Sequence, residues 1–175
     1  MAMPSLADPN FKRSVTCISE HTPDGAVGTV INRVHEHLDS KAIFKELGIE
    51  AIAKAEQSPL HIGGPVHTNK VFVLHGPPLE WEDSLKIDDG LALSNSRVIL
   101  EAIAQGQGPN HFIISLGCAG WGPGQLEWEL AQNAWLTLPN DHDILFHLPV
   151  KDRWQSAIHK LGIDPDHISE TAGNA

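Results

Sequence analysis

Two kinds of apolar spacing run along this chain, short blocks of strand length and stripes repeating every three or four residues, and turn-forming residues separate them. Ser14 to Ser19 and Ala26 to Asn32 are β-leaning blocks joined through Pro23-Asp24-Gly25. Proline presets φ there and glycine accepts positive φ, so the pattern predicts a hairpin. After Asp39-Ser40, either of which can cap, Ile43, Phe44 and Leu47 recur at helical spacing until Gly48, and Glu50 to Gln57 continues as a second short helix. Val71 to His75 has the branching of a buried strand between Gly63-Gly64-Pro65 and Gly76-Pro77-Pro78, and Leu91 to Ser94 is a further short strand. Ser94 or Ser96 caps a helix with Val98, Ile99, Ala102 and Ile103 on one face, ending at Gly106. Phe112 to Leu116 predicts a central strand that runs into Gly117-Cys-Ala-Gly-Trp-Gly-Pro-Gly124. A helix follows from Gln125 to about Asn133, then strands at Ala134 to Leu138 and Ile144 to His147. A last helix carries Trp154, Ala157, Ile158 and Leu161 and stops at Gly162.

Hairpins mixed with crossovers in this order suit an α+β fold better than a regular doubly wound sheet. The 175 residues, 41% of them hydrophobic, predict one domain over residues 1–164 with a tail over 165–175. No run approaches the roughly 18 apolar residues of a membrane helix, and Met1 to Pro4 has no signal-peptide character, which makes the cytoplasm the expected location. A net charge of −10, with basic residues scattered, disfavours direct binding to DNA, whose proteins rely on clustered Lys and Arg. Cys17 and Cys118 form no C-x-x-C motif and are expected to be buried, reduced thiols.

Three blocks resemble the YqgE/AlgH family of small bacterial proteins. They are Met3 to Phe11 with Glu20-His21 and Gly25 to Arg33; Gly63 to Val66 with Val71 to His75; and Gly117 to Trp121 with Gly124 to Glu129 and Asn133 to Leu136. Ile144 to Phe146 and Asp152 to Trp154 follow in the family's order. The resemblance implies a mixed, bent β-sheet folded into a pseudo-barrel and flanked by helices. Its name-giving member is described as a regulator of alginate gene expression, and it brings no catalytic residues to carry over. This chain departs from the family pattern at Ser19, Val34, Cys118 and Asn174, where cysteine, proline, tyrosine and histidine are usual.

Several residue groups are candidates for a site. Gly64, Gly120, Trp121, Gly122 and Gly124 surround a strand end and helix start whose free N–H groups suit a small anion, though no lysine follows to complete a phosphate loop. The alternative is a sharp reversal that lets Trp121 pack closely. Glu127 and Glu129 point about 200° apart on a helix and cannot share a substrate, whereas Gln125, Glu129 and Asn133 make a polar stripe that serves as a site or as an anchor to a loop. Glu20 and His21 carry acid–base groups, but adjacent strand residues face opposite ways. His35 and His37 offer half a zinc site on a strand, with a solvent-exposed loop the preferred assignment, and no metal or cofactor is expected. Trp128, among polar neighbours, suits an interface anchor. The candidates reduce to a non-enzymatic regulatory or adaptor domain acting through a protein partner, a small-anion sensor, or a hydrolase or transferase using Glu20, His21 or Glu129.

Overall fold

A computed structural model describes residues 1–163; the expected tail over 165–175 lies outside the described residues. The elements run β1 (Thr16–Thr22), β2 (Gly25–Val30), β3 (Val34–Asp39), α1 (Ser40–Glu46), α2 (Ala53–Glu56), β4 (Pro59–Ile62), β5 (Val66–His75), β6 (Ser84–Asp88), β7 (Leu91–Ser94), α3 (Arg97–Ala104), β8 (Phe112–Trp121), α4 (Gln125–Ala131) and α5 (Arg153–Lys160). The sheet order is β1-β2-β8-β5-β7-β6, with β4 joining β8 and β3 joining β4. The outer strands β1 and β6 approach each other, so the bent sheet is a nearly closed barrel with helices around it. The fold is α+β.

The bend is made where two glycine blocks cross. One edge of β8 pairs with β4 in parallel through Ile114 to Leu116 and then, past Gly117, with β2 antiparallel through Ala119 to Trp121. Gly117 has φ +73, a left-handed turn of the strand. Gly63 and Gly64 pass against it so closely that a Cβ on Gly63 would lie 2.1 Å from the Gly117 carbonyl oxygen, and one on Gly64 2.3 Å from the Cys118 carbonyl carbon. Gly63 N–H donates to Leu116 O and Val30 N–H donates to Gly63 O, which stitches β4 to β2 across the crossing.

Alternate residues of β5 and β8 serve different cores. Leu74 and Ile113 face inward with Cys17, Ile31 and Leu91, closed by Trp154 and Ile158 of α5. Val73 and Ile114 face outward beneath Phe44 of α1 and Ile99 and Ile103 of α3. The α3 start is capped as the sequence suggests, Ser96 Oγ accepting from Ile99 N–H.

Three local expectations are corrected. Ile144 to His147 belongs to a π-helical turn over Asp143–His147, not a strand; Asp141 Oδ1 accepts from the N–H groups of Asp143 and Ile144, and both Ile144 and Leu145 are buried, which an alternating strand does not allow. Ala134 to Leu138 is extended but makes only one bridge, Trp135 to Ala2, rather than a strand. His35 and His37 lie on β3 and not in a loop.

Among the buried polar side chains of the described residues, His61 is a costly ionisable one. His61, 4% exposed, is paired in register with Val34 and Ser115, and its ring nitrogens make no well-aligned hydrogen bond. Burial, with help from the nearby Arg153 guanidinium, lowers its pKa from 6.5 to about 4. The unfolded chain therefore takes up a proton near pH 6.5 that the folded chain refuses until about pH 4, so stability falls as pH drops through that window. The expected loss from this residue is about 2–3 kcal/mol. Urea titrations of wild type and His61→Leu at pH 7 and pH 4 check it: the variant's disadvantage or advantage relative to wild type shifts in the variant's favour by that amount on acidification.

Candidate functional site

The reversal from β8 into α4 is organised by one carboxylate. Glu129 Oε2 accepts from the indole N–H groups of Trp121 at 3.0 Å and Trp135 at 2.7 Å, while its Oε1 accepts from Gln125 Nε2 at 2.9 Å. Both tryptophans are buried, so their N–H groups need a partner, and a helical carboxylate facing the reversal supplies it. The indoles meet edge to face at 5.6 Å, and Phe11 stacks on Trp121 at 6.0 Å. Glu129 thus anchors the reversal.

The other candidates of this block have local roles. Gly124 is the left-handed residue before the helix, φ +71, and Gly122 N–H donates to Gln125 Oε1 at 3.0 Å. Gly120 sits in β8 beside Val66. Gly64 is buried at the strand crossing, apart from the exposed Gly122 and Gly124, and does not line a common ligand loop with them. The helix has seven residues, and Gln125 Oε1 takes the Gly122 N–H. Asn133 leaves the expected stripe: α4 ends before it, and its φ of +56 makes it the left-handed residue after the helix, with Ala134 N–H donating back to Glu129 O.

Glu20 and His21 part company, as neighbouring strand residues must. His21 Nε2 lies 2.6 Å from Glu127 Oε1, an exposed contact that ties β1 to α4; Glu127's own N–H and then His21 hold its carboxyl below the usual range. Glu20 instead lines a cleft of about 190 Å³ at the barrel mouth with Ser19, Phe72, Asp83 and Ser94. Sequence reasoning missed the His21–Glu127 pair because its members are 106 positions apart. It also missed a buried chain in which His75 lies 2.9 Å from Gly76 O and 3.1 Å from Ser94 Oγ, which in turn meets Ser84 Oγ. The three side chains come from three strands, so no local motif signals them. A serine beside a histidine base fits nucleophilic catalysis, but His75 and Ser94 are both buried and the Ser94 hydroxyl is already shared with Ser84 Oγ.

Both cysteines are free and buried. Burial, then the negative Asp88, pushes the Cys17 thiol up to about 12; burial also raises Cys118, against the opposing pull of Lys70. Neither forms thiolate near neutrality. At pH 8 both are expected to resist iodoacetamide in the native protein and to react at least about 100-fold faster in denaturant, read by mass spectrometry. Among the described residues no group of three or more His, Cys, Asp or Glu is placed to hold a metal, and no helix is long and apolar enough to cross a membrane.

A bent, nearly closed α+β barrel with a glycine crossing and a carboxylate-tied strand-to-helix reversal defines the class of domain. The AlgH-like family profile matches residues 1–166, and the chain belongs to that family. It is 49% identical over 175 residues to a UPF0301 protein of Desulforapulum autotrophicum, covering 100% of this chain and 93% of the relative. It is 50% identical over 175 residues to one of Thioalkalivibrio sulfidiphilus, covering 100% and 94%. The solution structure of the AlgH protein from Pseudomonas aeruginosa superposes with a TM-score of 0.79 at 42% identity, over 100% of this chain and 93% of that one. A Corynebacterium diphtheriae protein, 21% identical, shares the fold with a TM-score of 0.73, over 91% and 83% of the two chains.

Proposed function

We propose that this chain is a regulatory or adaptor domain that acts through a protein partner, with Trp128 as its anchor. The observation that carries this is the exposure of that side chain: Trp128 remains 64% exposed on a helix whose neighbouring residues, Glu127 and Glu129, are both tied down. A large indole left in water on a rigid support is the feature that dominates many interfaces. The net charge of −10 supports a role through a partner over direct DNA contact.

Trp128→Ala is expected to change stability by less than about 0.5 kcal/mol, because the side chain packs little. The same substitution is expected to weaken a complex reconstituted from the purified domain and its purified partner by at least about 30-fold, the loss of a tryptophan hot spot. Equal affinity of wild type and variant in isothermal titration overturns the proposed anchor.

A further inference from the structure

The wall of tryptophans held by Glu129 borders a cleft of about 150 Å³ between α4, β1 and the extended segment after Trp135. Its apolar lining is made by Ile18, Trp121, Leu126, Leu130, Trp135 and Leu138. A cavity of this size with such walls accommodates a benzene-sized ring. Because both indoles donate to the same carboxylate oxygen, neither ring is free to turn into the space. The cleft is therefore preformed.

Its polar groups are few and specific. Thr16 lines both this cleft and an adjoining one of about 40 Å³, but its Oγ1 is shielded and is not presented to the space. Asn140, also shared by the two clefts, has its amide oriented by donation to Asp88 Oδ2 at 2.7 Å. Its Oδ1 meets only the Cys17 thiol, at 3.9 Å, and keeps acceptor capacity. No lysine, arginine or histidine side chain lines the cleft; Met1 does line it, but its α-amino group donates to Leu136 O and its pKa is lowered to about 6 by burial, and Asp88 stands behind Asn140, so the setting disfavours an anion.

From this geometry we infer that the cleft is a binding site for a small neutral aromatic molecule carrying one hydroxyl group. The ring packs against Trp121, Trp135 and Leu126, and the hydroxyl donates to Asn140 Oδ1. This site is separate from the exposed face of Trp128 and stands or falls independently of the partner proposal. A preformed apolar pocket with a few convergent polar groups is the usual form of a small-molecule site.

The test uses p-cresol and toluene, which share a ring and methyl group and differ in the hydroxyl, titrated into the purified chain and followed by ¹H–¹⁵N NMR. The expected result is saturable shifts at the lining residues with p-cresol at or below about 1 mM, and binding about tenfold weaker for toluene, the worth of one hydrogen bond. Asn140→Leu is expected to bring p-cresol to within about threefold of toluene. Leu138→Trp, which fills the space, is expected to abolish binding of both; Leu130→Trp replaces it if the first variant does not fold, as judged by near-ultraviolet circular dichroism. No saturable shift in the wild type, shifts that map elsewhere, equal affinity for the two probes, or binding that survives in the folded filled variant overturns the inference.

Discussion

Alanine at Gly64 is expected to cost more than about 4 kcal/mol and to leave little folded protein, because the added methyl has nowhere to go. Its Cβ would lie 2.3 Å from the Cys118 carbonyl carbon and oxygen and 2.4 Å from Ala119 N, all backbone atoms, and the φ of +149 is one that side chains rarely adopt. Neither strand is free to retreat. Val66 is paired with Cys118 just beyond the clash, and Gly63 is held by its bond to Leu116 just before it. Gly122 provides the contrast: it is exposed, and a Cβ there meets only Gln125 Oε1 at 3.8 Å. Gly122→Ala is expected to stay within about 0.5 kcal/mol of wild type. Expression yield and urea midpoints separate the two. Similar damage at both positions would mean that the glycines serve a shared loop and not a strand crossing.

Replacing Glu129 by alanine is the second large effect, about 3–4 kcal/mol, or a melting temperature lower by about 6–16 °C for a chain of this size. The substitution strands two buried indole N–H groups and frees Gln125 at once. Hydrogen bonds to a charged acceptor are worth roughly 1.5–3 kcal/mol each, and the half-buried position of Glu129 keeps the sum at the lower end. Glutamine retains an oxygen for the indoles and is expected to cost only about 1 kcal/mol. Differential scanning calorimetry of wild type and the two variants reads this directly. If alanine and glutamine are equally mild, the carboxylate does not organise the reversal.

The fold was legible where a signal is local. The first hairpin, the α3 cap at Ser96 and the central position of β8 follow from turn chemistry, a capping serine and a branched apolar run. Strands β3, β4 and β6 were not foreseen. β3 is largely exposed and β4 is only four residues long, so neither shows a buried alternation, and β6 is bounded by charged residues at Asp83 and Asp88-Asp89. Asp141 turned the Ile144 block into a π-helical turn through two side-chain bonds that apolar spacing does not report.

The candidate site was legible in part. The anchor role of the Gln125–Glu129 pair followed from four-residue spacing. The two tryptophans that share Glu129 did not, since Trp121 comes from a strand and Trp135 from an extended segment after the helix. Asn133 was assigned to the stripe because spacing alone assumes that the helix continues; a left-handed residue ended it first. The glycines of the second and third blocks looked like one ligand loop, whereas Gly64 and Gly117 meet backbone to backbone in the bend of the sheet.

The most direct measurement is photo-crosslinking in living cells from a benzoylphenylalanine placed at position 128, with positions 105 and 132 as exposed controls. Action through a protein partner predicts one discrete adduct from position 128, identified by mass spectrometry, that is absent from position 105. No adduct from position 128, or the same adducts from every exposed position, would contradict a docking role for this helix.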